Sequence, residues 1–128
     1  VIRRFLRRRA GSFRYAFAGF AYSFRTQENI WIHSAATLAV VAMGLWLGLS
    51  IHDWVLLILT ISAVWVAEFF NTAIEAVVDL ASPDIHPLAK TAKDVGAAAV
   101  LVTAIAAVVI GLLILGPPLW PRLSGFFH

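Results

Sequence analysis

Four polar side chains in the middle of an apolar chain have the types and the spacing for chemistry. Glu68, Asn71, Glu75 and Asp79 recur every three or four residues. At about 100° per residue they fall within roughly 80° of arc, on one face of a single helix. That helix is otherwise fit for hydrocarbon, since the run before Glu68 is apolar from Trp54 to Val66. Ionisable groups at membrane depth are costly, rare and usually functional. Carboxylates with amide oxygens suit Mg²⁺, which keeps several waters and borrows phosphate oxygens from its substrate. A carboxylate one or two turns deeper can take a proton from a hydroxyl at the lipid interface. The same line also suits a proton or ion pathway.

Other polar residues gather toward the same end. Tyr15, Gln27, Glu28 and Asn29 precede the first apolar run, and His86, Lys90, Lys93 and Asp94 precede the last. Lysine beside a carboxylate–magnesium site neutralises phosphate charge. The set suits phosphoryl transfer, although the chain has neither a Walker loop nor a kinase-type glycine loop.

The elements that must position these groups are helices in a bilayer. The chain has 128 residues, 61% of them hydrophobic, with mean hydropathy +0.86. A soluble domain has roughly 45–50% apolar residues. There is no cysteine, which excludes disulfides and thiol catalysis. Strands are not expected, because the alternation of a membrane barrel is missing. Five of the ten basic residues, Arg3, Arg4, Arg7, Arg8 and Arg9, form a leader over residues 1–11 that suits an anionic membrane surface better than nucleic acid. No apolar core with a small-residue cleavage site follows them closely, so a cleavable signal is not expected. Residues 12–26 carry Phe13, Phe17, Phe20 and Phe24 at helical spacing with Arg14 and Arg25, which predicts an amphipathic helix lying on the membrane.

Three spans are predicted, in helices over residues 30–49, 54–79 and 94–115. Ser50-Ile51-His52-Asp53 reads as a short connection and Ser82-Pro83-Asp84 with His86-Pro87 as a break. Gly116-Pro117-Pro118 is expected to stop the last helix. The Ala/Gly-rich start of the third span, Gly96 to Ala99, allows close helix approach. Arginines precede span one, Lys90 and Lys93 precede span three, and the loop between spans one and two has neither Lys nor Arg. The N-terminus and the loop before span three are therefore expected in the cytoplasm, with the C-terminus outside.

The stretch Glu68-Phe-Phe-Asn71-Thr-Ala-Ile-Glu75-Ala-Val-Val-Asp79, followed by Ala92-Lys93-Asp94 and Ala97-Ala98-Ala99-Val100, resembles the prokaryotic diacylglycerol kinase family, which includes undecaprenol kinases. The stretch Asn29-Ile-Trp-Ile-His33 adds to the likeness, which covers roughly residues 8 to 115. The resemblance implies an all-α integral membrane protein with a surface helix and three transmembrane helices, a single kinase domain over residues 1–128. It implies a homotrimer with sites shared between subunits, in the bacterial inner membrane with the site on the cytoplasmic side. It implies phosphorylation of a membrane lipid alcohol, diacylglycerol or undecaprenol, by ATP with Mg²⁺, and no nucleic-acid partner.

The resemblance also assigns roles. Glu68 matches the general base and contacts the lipid, near Ala97. Glu75 matches a metal ligand. Lys93 and Asp94 match the pair around the nucleotide phosphates, and Arg8, Tyr15, Ile85, His86 and Pro87 match positions near the nucleotide. Asn71, Asp79 and Asn29 support the site. The family has a second metal-binding glutamate before span one. Aligned without gaps on Asn29 and His33, that position is Gln27, with Glu28 one residue later. Either Gln27 or Glu28 completes the metal site, or the ion leans on Glu75 and ATP. Ala97 replaces a small polar residue. The alternative function is a membrane scaffold or ion-conducting bundle that has lost its chemistry.

Overall fold

A computed structural model describes residues 2–82 and 86–125, with side chains from Gly11 onward. The Arg8 side chain, Ile85, and Pro83 and Asp84 of the expected turn lie outside the described residues. The described chain is helical almost throughout: α1 (Ile2–Thr26), α2 (Asn29–Leu47), α3 (Ile51–Ala81) and α4 (Pro87–Ser124). The last three are each long and apolar enough to cross a membrane. α1 begins well before the expected residue 12, taking in the basic leader. Gly11 does not interrupt it, since one glycine costs only about 1 kcal/mol against alanine in a helix.

The α2–α3 junction is built from local signals. Gly48 closes α2 in the left-handed conformation, φ 69°, with its N–H donating to Gly44 O. Ser50 then caps α3 in a reciprocal box: its hydroxyl accepts from the Asp53 N–H, and the Asp53 carboxylate accepts from the Ser50 N–H. Ile51, His52 and Asp53 are thus the first turn of α3, not part of the connection. Gly44 lies so close to the Trp54 ring that a methyl group there would sit 2.9 Å from it, so α2 and α3 meet tightly beside the turn.

α3 and α4 form the principal antiparallel pair. Gly96 permits their closest approach: an added Cβ would collide with the Asn71 side-chain oxygen. At the far end, Leu47, Leu57 and Leu115 form a small buried cluster with Val40, Met43, Leu49, Ile114 and Leu119 around it. α1 docks on α3 through aromatic rings. Phe20 meets Phe69 edge-on at 4.4 Å between centroids, and Phe24 contacts Trp31 and Trp65. Phe13 and Phe17 are exposed, so the stripe expected from the spacing divides into a docked and an undocked half.

The expected stop at Gly116-Pro117-Pro118 does not occur. α4 continues to Ser124 with Pro117, Pro118 and Pro121 inside it. Proline removes a donor and crowds the preceding turn, but its φ is compatible with a helix. Tertiary contacts hold the extension in place. Leu119 packs on the leucine cluster, and the Arg122 guanidinium donates to Trp46 O at 2.7 Å and Leu47 O at 3.3 Å while lying over the Trp46 ring. Those carbonyls are among the unpaired ones at the C-terminus of α2, where a cation is favoured.

Candidate functional site

The four-residue line on α3 forms one face, and its burial falls along the helix. Glu68 is 0% exposed, Asn71 is buried, Glu75 is half-buried and Asp79 is exposed. The line therefore runs from a dry interior to water within three turns.

Its middle is a joined group. Gln27 Nε2 donates to Glu75 Oε2 at 2.6 Å, and Asn71 Nδ2 donates to Glu75 Oε1 at 3.2 Å. The α1–α2 joint and α3 thus meet on one carboxylate. Asn71 Oδ1, pressed against Gly96, is buried without a hydrogen-bond partner. Glu28 is the exposed N-cap residue of α2 and Asn29 its exposed first residue. Of the two candidates before span one, Gln27 is the one beside Glu75.

Deeper by seven residues, Glu68 has both carboxylate oxygens buried and without a hydrogen bond. The Thr72 hydroxyl is spent on Glu68's own backbone carbonyl at 2.9 Å. His33, on α2, brings Nε2 to 3.6 Å from Glu68 Oε2. An ionised carboxylate in such a place is costly unless paired.

At the water end the basic residues are paired in a crossed pattern. Lys93 Nζ lies 2.6 Å from Asp79 Oδ1, tying the end of α3 to the start of α4. Lys90 Nζ lies 2.5 Å from Asp94 Oδ2 one turn along α4. Lys93 and Asp94, both expected around the nucleotide phosphates, are each held by another residue. His86 caps α4 through Nδ1, which accepts from the Leu88 N–H at 3.2 Å, and Pro87 occupies the first helical position. Tyr15 is exposed beside the Arg14 guanidinium, and Ala97 is exposed on α4.

No group of three or more His, Asp or Glu residues that could hold a metal occurs among the described residues. One carboxylate, Glu75, and the Gln27 amide carbonyl fit an ion that arrives with phosphate ligands. They do not amount to a self-contained cage.

A sequence model of the prokaryotic diacylglycerol kinase family matches residues 14–115. The chain belongs to that family. It is 48% identical over 109 residues to the diacylglycerol kinase of Synechocystis sp., covering 84% of this chain and 62% of that protein. It is 44% identical over 108 residues to the undecaprenol kinase of Bacillus subtilis, covering 84% of this chain and 88% of that protein. It is 39% identical over 95 residues to the diacylglycerol kinase of Escherichia coli, covering 69% of this chain and 78% of that protein. The match thus spans less than two thirds of the Synechocystis relative. The whole α3 line and the Gln27, Lys93 and Asp94 positions fall within the diacylglycerol kinase match, whereas Arg8 and the proline-containing end of α4 fall outside it.

His33 and Lys90 stand out in the sequence, but their partners do not. His33 meets Glu68, and Lys90 takes Asp94. The signal for His33 was available: it is a polar residue set into the start of an apolar span, the same anomaly that marks Glu68.

Proposed function

We propose that this chain is a membrane lipid kinase that transfers the γ-phosphoryl group of ATP to the hydroxyl of diacylglycerol or undecaprenol. One observation carries the reading: a fully buried carboxylate with free oxygens, Glu68, lies about 10 Å along the helix from a hydrogen-bonded carboxylate group at the half-buried level. The names of the curated relatives support it.

In this reading Glu68 accepts the proton of the lipid hydroxyl as its oxygen attacks the γ-phosphorus. The bond to the β-phosphate oxygen breaks and ADP leaves. Mg²⁺, when bound with the nucleotide, neutralises charge on the phosphates. Glu75 and the Gln27 amide oxygen would hold it, with Asn71 keeping the Glu75 carboxylate in place. The phosphates draw Lys93 from Asp79, with Asp94 and Lys90 beside them. Tyr15, Arg8, Ile85, His86 and Pro87 border the nucleotide, Asn29 and Asp79 support the site, and Ala97 borders the lipid. Residues 1–128 act as one kinase domain. α1 lies on the cytoplasmic face of the bacterial inner membrane, three copies assemble, and sites are completed between subunits.

The test is transfer of label from [γ-³²P]ATP. Purified protein is given diacylglycerol and undecaprenol in parallel mixed micelles. Label should appear in the organic phase with at least one alcohol, and not with Glu68→Gln. No labelled lipid from either alcohol would overturn the reading.

A further inference from the structure

We propose that His33 is a positioning residue for Glu68, holding its carboxylate oriented and ionised for the proton-accepting step. The inference rests on the reading of Glu68 as the base and adds a residue that this reading does not contain.

The geometry supports the pair from both sides. His33 Nε2 is buried without a hydrogen bond, and both Glu68 oxygens are in the same condition. The two groups stand 3.6 Å apart, so a small rotation of either side chain closes a hydrogen bond. The register that places them opposite each other is pinned one turn away. There Trp65 Nε1 donates to Thr37 Oγ1 at 3.2 Å, four residues on from His33 and three back from Glu68. Ile30, one turn before His33 on α2, is 0% exposed. His33 retains 15% exposure, so the imidazole stands between the dry carboxylate and the outside.

Nothing else answers the carboxylate among the described residues. On α3 the neighbouring acid is Glu75, which is occupied by Gln27 and Asn71. On α4, Lys93 is taken by Asp79, and Lys90 by Asp94. On α1, Arg14 and Arg25 are exposed, as is Glu28 at the head of α2. The imidazole Nε2–H is the donor that fits, and a hydrogen bond to a charged acceptor in a dry site is among the stronger ones.

The experiment compares His33→Leu, His33→Gln and Glu68→Gln with the wild type, each eluting as the native assembly. It measures kcat, the KM for ATP and the pH dependence of kcat. Glutamine keeps an N–H near the position of Nε2 and leucine does not. His33→Leu should lose about tenfold to a hundredfold in kcat with little change in the KM for ATP. The acid limb of its pH profile should move to higher pH, because a carboxylate without its donor is protonated more readily. His33→Gln should recover most of the rate and restore the limb. A wild-type rate and limb in His33→Leu, with Glu68→Gln inactive, would overturn this inference alone. So would a loss that appears in the KM for ATP and leaves the limb unmoved, which is the mark of a packing role. Full activity in Glu68→Gln would remove the base itself, a different failure.

Discussion

At the scale of single residues, the site separates two carboxylates by environment. Glu68 is dry and without a hydrogen bond, and Glu75 is held by two amides. Glu68→Gln keeps shape and removes the proposed proton acceptor. It should lower kcat by about 10²–10⁴ and leave nucleotide affinity nearly unchanged, as read by initial rates across an ATP series. Gln27 touches Glu75, so if Glu75 holds the metal as proposed, a carboxylate at position 27 would add a second charged ligand beside it. Gln27→Glu should lower the Mg²⁺ needed for half-maximal rate and partly rescue Glu75→Gln. Titrating Mg²⁺ at fixed ATP for the single and double variants checks both. An unchanged requirement in Gln27→Glu, with a large loss in Glu28→Gln, would move the role to Glu28. The α3 line was legible because a 3.6-residue period needs no tertiary knowledge. The exchange of partners among Lys90, Lys93, Asp79 and Asp94 was not legible. Whether a lysine reaches its i+4 neighbour or the adjoining helix depends on where two helices happen to meet.

At the scale of elements, the α3–α4 pair decides how Asn71 is held. A methyl group at Gly96 would collide with the Asn71 side-chain oxygen. The amide can escape only by rotating, which breaks its hydrogen bond to Glu75. Gly96→Ala should therefore leave the helices assembled and reduce kcat/KM for ATP by roughly tenfold, the worth of one hydrogen bond to a charged group. Circular dichroism with steady-state kinetics reads the two quantities. Four helices are foreseeable from spacing and apolar runs, but several of their ends are not: α1 starts before residue 12, α3 at Ile51 and α4 at Pro87, and α4 runs on to Ser124. The Ser50–Asp53 pairing has the spacing of a capping box, but polar residues between two apolar runs have the look of a loop as well. The prolines of α4 carry the local signature of a stop. What overrides it is Arg122 on α2 carbonyls contributed from 75 and 76 residues earlier, a contact that no local window contains.

At the scale of the molecule, a single chain leaves most of its apolar surface uncovered. Only 17%, 28% and 11% of the apolar stretches of α2, α3 and α4 are buried within the chain. Lipid covers such surface, and so do further copies packed through small residues. Native mass spectrometry in detergent should give a trimer, and a monomer with full activity would count against shared sites. A reporter fused after His128 should lie outside the cytoplasm, given the arginine and lysine bias toward the other end. Measured along its axis, α3 is a ruler. Its 31 residues extend for about 46 Å, whereas the hydrocarbon layer is about 30 Å thick. From Ile51 the carboxylate of Glu68 comes at about 26 Å, and Asp79 about 16 Å beyond it. With Ile51 at one boundary of the hydrocarbon, Glu68 stands just inside the other and the rest of the line rises into water. In the proposed reading, a lipid alcohol would meet Glu68 at the depth where its hydroxyl already floats, and a nucleotide would meet Glu75 without leaving solvent. Neither reactant would have to cross into the other's phase, and the depth of the Glu68 carboxylate is set by the thickness of the bilayer around it.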